Sequence, residues 1–176
     1  MPTTDNMNST DIAEPCRIAL QMFAEKQFVN WRGLPQGCVL TDVAAMFSLS
    51  NQGVGAGHLG RRQRQVEFRM FQVKGYQRPV RAWFDSTQLT MLDAEHPGLE
   101  QQLPGVLASL GEPEAKLDFY WDVVEIKKGE LVYASRGITF FTDPTDNQVL
   151  RLLVFPATTI EDYIEKFRLE FRMQEF

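Results

Sequence analysis

The stretch VRAWFDSTQLTMLD, residues 80–93, constrains the chain more than any other. Its apolar residues recur at every second position, a period that belongs to strands and not to helices. Ser86 and Thr87 read as a two-residue hairpin loop, which sets Asp85 opposite Gln88 and Phe84 opposite Leu89. Val80, Ala82, Phe84, Leu89 and Met91 then share one apolar face, and Arg81, Trp83, Thr90 and Leu92 share the other. A slip of one residue would exchange the faces, so the pattern supports this register. Upstream, VEFRMFQV alternates in the same way. Val66, Phe68 and Met70 point one way, and Glu67, Arg69 and Phe71 the other.

Helical spacing brackets these strands. Ile12, Cys16, Ala19, Leu20 and Phe23 recur as a helix face, with Pro15 tolerated in the first turn. TDVAAMF reads as a short helix with Thr41 as N-cap. LPGVLASLGEP reads as another, ended by Gly111 and Pro113. LVYASRGITFFT and QVLRLLVF are strands, with Gly137 a bulge in the first. PATTIEDYIEKF opens a helix capped by Thr158 or Thr159. The order helix, strand, polar turn, strand, Pro-containing corner thus occurs twice. The expected fold is α+β: two tandem helix-plus-antiparallel-meander repeats, forming a curved sheet with helices on one face. A disordered tail over residues 1–10 precedes a first repeat over 11–97 and a second over 98–176, together one compact unit.

The LASLGEP helix end, followed by a meander of strands, resembles the tandem-repeat fold of β-lactamase inhibitor protein and of SmpA/BamE-type domains. The resemblance covers about two thirds of the chain. It implies binding of other proteins through an exposed sheet and loops. The first half departs from it, since MFSLSNQ lacks the Gly and Pro found at Gly111 and Pro113.

The 176 residues are enough for a real core, and 13 Phe supply large pieces of it. A net charge of -5 argues against a nucleic-acid binder. Cys16 and Cys38 have no ligand-like spacing and read as two lone thiols, which fits a reducing compartment. The polar start MPTTDNMNST has neither the basic nor the apolar region of a signal peptide, and no apolar run is long enough to span a membrane. The expectation is a cytoplasmic protein.

GAGHLG, residues 55–60, matches the glycine spacing of a dinucleotide loop, but that loop needs a strand before it and a helix after it. Here a helix precedes and a strand follows, so the glycines read as a long turning loop and no cofactor is expected. The run that follows is the basic centre of an acidic chain. Arg61, Arg62, Arg64, Arg69, Lys74, Arg78 and Arg81 meet one acid, Glu67. With His58, the residues Arg61, Arg62 and Arg64 are candidates for an anion site, against the alternative that they pair with neighbouring acids. A three-residue loop over 75–77 sets Arg69 opposite Trp83, so Arg69, Phe71, Arg81 and Trp83 gather on the sheet face away from the aliphatic one. That face is either an exposed binding surface or ordinary core under a helix. Asp93, Glu95 and His96 offer a carboxylate–imidazole pair without a nucleophile. The sequence therefore points to a non-catalytic protein- or peptide-binding module, of immunity or accessory type, using an exposed sheet face. The alternative is a small-molecule or anion binder, or an enzyme, that uses the Arg-rich loop and the groove between repeats.

Overall fold

A computed structural model describes residues 12–120, 127–143, 145, 146 and 148–169; the tail expected over residues 1–10 lies outside them. In chain order the described elements begin with helices α1 (Glu14–Ala24) and α2 (Leu40–Met46). Strands β1 (Ser48–Leu59), β2 (Arg64–Gln72), β3 (Val80–Asp85) and β4 (Gln88–Glu95) follow. Helix α3 (Leu103–Leu110) leads into β5 (Ala115–Tyr120), β6 (Lys127–Tyr133), β7 (Ile138–Thr142) and β8 (Val149–Val154). A short helix α4 (Ile160–Asp162) runs on into a π-helical turn over Tyr163–Phe167.

The strands form one open antiparallel sheet of order β1-β2-β3-β4-β8-β7-β6-β5. Two four-stranded meanders run inward from the two edges and meet where β4 pairs with β8. The hairpin register around Ser86 and Thr87 is as expected for its first two pairs, Asp85 with Gln88 and Phe84 with Leu89. The next pair is Trp83 with Met91, so Thr90 is an extra residue on β4. The bulge carries Met91 to the Trp83 face, not to the Phe84 face where strict alternation puts it. The second meander repeats the device. Thr142 pairs with Val149 and Phe141 with Arg151, leaving Leu150 as the extra residue.

Helices α1, α2 and α3 cover one face of the sheet. Leu20, Phe23, Val43 and Val106 pack there against Phe71, Ala82, Phe84, Phe140 and Leu152 in one continuous cluster. Each large side chain buried there contributes roughly 1.5–3 kcal/mol of hydrophobic stabilisation. The far face holds a second cluster, in which Trp83, Met91, Phe141 and Leu153 lie under the C-terminal turn. Tyr163 stacks on Phe155 at 4.8 Å between ring centres, and Phe167 stacks on it at 5.5 Å. The expectation of helices on one face thus holds for α1–α3, and the C-terminal turn covers part of the other.

Local chemistry explains where the elements begin and end. Helix α2 starts at Leu40 and not after Thr41, because the Asp42 carboxylate accepts the Val39 N–H at 2.9 Å. Thr159 caps α4, accepting the Asp162 N–H at 3.1 Å. Gly137 is not a bulge. It sits at φ +61 and closes a 3-10 turn over Ala134–Arg136, where an added Cβ would meet the Phe155 carbonyl oxygen at 2.1 Å.

Cys16 and Cys38 are joined in a disulfide, with Cα atoms 5.6 Å apart. It ties the first turn of α1 to the segment that enters α2, and both residues are buried. The reading of two lone thiols is thereby corrected, and the argument from them to a reducing compartment falls with it. Among the described residues no helix is long and apolar enough to cross a membrane.

Candidate functional site

On the far face, side chains from four adjacent strands converge at the seam between the meanders. Strand alternation aims Phe68 and Met70 of β2, Arg81 and Trp83 of β3, Asp93 and Glu95 of β4, and Arg151 of β8 to this side. Asp93 is directly opposite Arg81, and Glu95 is directly opposite Arg151. Arg151 reaches diagonally, donating Nε to Asp93 Oδ1 at 2.6 Å and Nη2 to Oδ2 at 2.7 Å. Oδ2 also accepts from Arg81 Nη1 at 3.2 Å and from Trp83 Nε1 at 3.3 Å. Glu95 accepts from Arg78 at 3.1 Å and lies 3.4 Å from Arg151.

The electrostatics follow from this geometry. Burial lowers the Arg151 pKa, but the Asp93 and Glu95 carboxylates more than offset that and the net shift is upward, so Arg151 stays charged. Asp93 is buried and cannot recruit water, so its four donors replace hydration. The Arg81 guanidinium lies 4.7 Å from the centre of the Phe68 ring and 5.7 Å from that of Trp83. Its Nε is buried with no hydrogen-bond partner among the described residues. Above this floor opens a groove of about 370 Å³, lined by Met70, Arg78, Pro79, Arg81, Asp93, Glu95 and Arg151.

The sequence-expected residues divide between several places. Arg81 and Trp83 are in the cluster. Arg69 and Phe71 are not, because Phe68 and not Arg69 stands opposite Trp83. This one-residue difference in register turns Phe71 into the helix-side core, where it is fully buried. Trp83 is only 5% exposed, so the face around it is core at its centre, with a groove opening beside it toward Met70 and Arg78.

GAGHLG is not a loop: Gly55 to Leu59 are the end of edge strand β1, and His58 is exposed there opposite Gln65. The glycines make room for rings. A Cβ on Gly55 would lie 2.3 Å from Phe68 Cζ, and one on Gly57 would lie 2.9 Å from Trp83 Cη2. The arginines that follow close the C-terminal turn. Gly60, Arg61 and Arg62 donate backbone N–H groups to the carbonyls of Arg168, Ile164 and Glu165 at 2.8–3.1 Å. Arg64 donates to the Lys166 carbonyl at 3.1 Å and lies over the Phe167 ring. Arg61 and Arg62 both pair with Glu165, at 3.4 and 3.3 Å.

The buried pairing of Asp93 with Arg151 is the part of this cluster that the sequence reading did not anticipate. Asp93 is held by arginines, whereas the sequence grouped it with His96. The signal was present: a lone Arg within LRLLVF and a lone Asp within TMLDA stand in otherwise apolar strands. Charges so placed are paired or they are not tolerated.

No protein-family model matches the chain, and no curated protein matches it. A solved structure of a DUF4309 family protein, YjgB from Bacillus subtilis subsp. subtilis str. 168, is similar at a TM-score of 0.38 and 15% identity. The match covers 82% of this chain and 99% of that one. A likeness at this level carries no argument about function. None of these comparisons identifies a relative of β-lactamase inhibitor protein or of the SmpA/BamE-type domains.

Proposed function

We propose that the protein is a non-catalytic binding module for a protein or peptide, and that the groove over the Arg151–Asp93 pair takes part of the partner. The observation that supports this reading is the fixed posture of Arg81. Asp93 holds it by hydrogen bond, and Phe68 and Trp83 hold it by their ring faces. An arginine held in place beside an open groove loses little side-chain entropy on binding, the property of an interface anchor. In the same reading the two meanders are tandem repeats, since both place one extra residue on the second strand of the hairpin nearest the seam, close to its turn.

A capture experiment from cells that express the protein tests this. Wild type and the double variant Met70→Ser/Arg78→Ser are compared, because both side chains line the groove and Arg78 is exposed. A protein retained by wild type and lost from an equally stable variant is the expected result. Identical capture by both would overturn the assignment of the groove.

A second reading, a small anion held at the seam, draws on one observation. Three guanidinium groups face two carboxylates in the groove, leaving one positive charge in excess. Titration with inorganic phosphate and with acetate separates the readings. Micromolar binding of either, lost in Arg78→Ser, would favour the anion reading.

A further inference from the structure

The edge of the sheet formed by β1 is built unlike the other edge. β1 has twelve residues and carries no Lys, Arg, Asp, Glu or Pro. Strand β5, at the opposite edge, has six and carries Lys116 and Asp118. Natural sheets blunt an exposed edge with charge, proline, shortness or a covering element. Over Val54–His58 the strand has β2 on one side, and among the described residues it makes no other backbone hydrogen bond. Leu49 and Val54 are 59% and 60% exposed. Among the described residues the register shift between Leu49 and Val54 is the one protective device, and it leaves the straight run Val54–His58 without a covering strand.

We infer that this run accepts an extended, acidic segment of a partner polypeptide as an added edge strand, a step that rests on the binding reading above and gives the partner its form. Two features choose the occupant. On the far face Gly55 and Gly57 present no side chain, and the half-buried Phe68 ring lies across Gly55. An apolar side chain opposite these glycines therefore reaches the ring edge unobstructed. On the other face the β2 neighbours of β1 include Arg69, opposite Val54, which has no ion pair among the described residues. Beyond the Leu59 end, Arg61 and Arg62 share one carboxylate while 69% and 65% exposed. Glu67, opposite Ala56, is the one acid of β2. The surround of the edge is thus net basic in an acidic protein. A second copy fits less well. Antiparallel self-pairing would set each Arg61–Arg62 turn against residues 48–53 of the other copy, which hold no acid.

The test uses the full chain and a fluorescent octapeptide of alternating Val and Glu, its Val-Lys counterpart, and a Val-Glu peptide N-methylated at every second residue. Polarisation should show saturable binding of Val-Glu with a Kd below about 1 mM. N-methylation should weaken it by at least about tenfold, since it removes one row of backbone donors. Ala56→Glu, at an exposed position, should weaken it by about as much without lowering the melting temperature. Equal binding of the Val-Lys peptide, tolerance of N-methylation, or no binding of Val-Glu would each overturn the inference. So would a dimer in sedimentation that Ala56→Glu dissociates, which would assign the edge to a second copy. Loss of Val-Glu binding in Met70→Ser/Arg78→Ser, with none in Ala56→Glu, would place the peptide in the groove. The edge inference would then fail while the binding reading stands.

Discussion

Arg151 grips Asp93 with both arms of its guanidinium, Nε to Oδ1 at 2.6 Å and Nη2 to Oδ2 at 2.7 Å, and so fastens the second meander to the first. Both side chains are almost wholly buried. Removing one partner leaves a buried charge without compensation, which costs on the order of 3–5 kcal/mol. Asp93→Ala should therefore destabilise the fold by that amount in urea unfolding. The joint replacement Asp93→Leu/Arg151→Met should recover most of the loss, and a double variant no better than the single one would show that the pair does not act as a unit.

Trp83 and Phe84 point to opposite faces, and both are buried. Trp83→Ala and Phe84→Ala should each cost about 3–5 kcal/mol, the range for deleting a buried aromatic side chain. Each should melt in a single transition, because Phe84 of the first meander shares a core with Leu152 of the second. A Trp83→Ala protein that melts like wild type would place the ring in solvent.

Gly60 is at φ +72, and a Cβ there would meet the Glu165 carbonyl oxygen at 2.2 Å. Gly37 is at φ +93 with open space around it. Gly60→Ala bears both backbone strain and a backbone clash, so its loss of stability should exceed that of Gly37→Ala by about 1 kcal/mol or more. Equal losses would mean that the turn is not pressed against the C-terminal segment.

The Tyr163 hydroxyl donates to the buried Glu130 carboxylate. Burial, then the Glu130 charge, pushes its pKa well above the ordinary value, and burial raises Tyr76 as well. For a group raised in the folded state, the stabilisation is fully present below the unfolded pKa of about 10. It is lost as pH rises beyond that toward the folded value. Stability should thus fall with a steep slope above about pH 10, and the slope should be shallower in Tyr76→Phe. A flat profile would contradict the burial.

The disulfide spans 22 residues of sequence. Closing a loop of this size restricts the unfolded chain by about 3 kcal/mol. Cys16→Ser/Cys38→Ser should lose about that much, and intact mass under non-reducing conditions should show two fewer hydrogens than the reduced chain. Two titratable thiols in the purified protein would remove this account.

The alternating segments were legible because successive side chains of a strand face opposite sides of the sheet. The hairpin at Ser86–Thr87 was legible too, since a two-residue loop leaves little choice. The pairing of β2 with β3 was not. Their connection is long, and Phe71 pairs with Val80 where a tight loop over 75–77 demanded Arg81. That single step exchanged the partners of Trp83. The bulges at Thr90 and Leu150 left no mark in the apolar pattern, because both residues are themselves buried. β1 escaped notice because its glycines serve the rings of Phe68 and Trp83, which lie on other strands. The Arg151–Asp93 pair joins residues 58 positions apart, a distance that local periodicity does not reach.

Strand β8 lies in the middle of the sheet, and all six of its residues are buried. Among the described strands it is also the last to leave the ribosome. Until it does, β4 stands as a raw border, and the side chains that will seal it exist only as untranslated message. The two outer borders can therefore form before the seam does, and the centre closes only once residues 149–154 have been made. A ribosome that stalls before residue 149 leaves two half-sheets with nothing between them, each offering an adhesive margin to whatever passes.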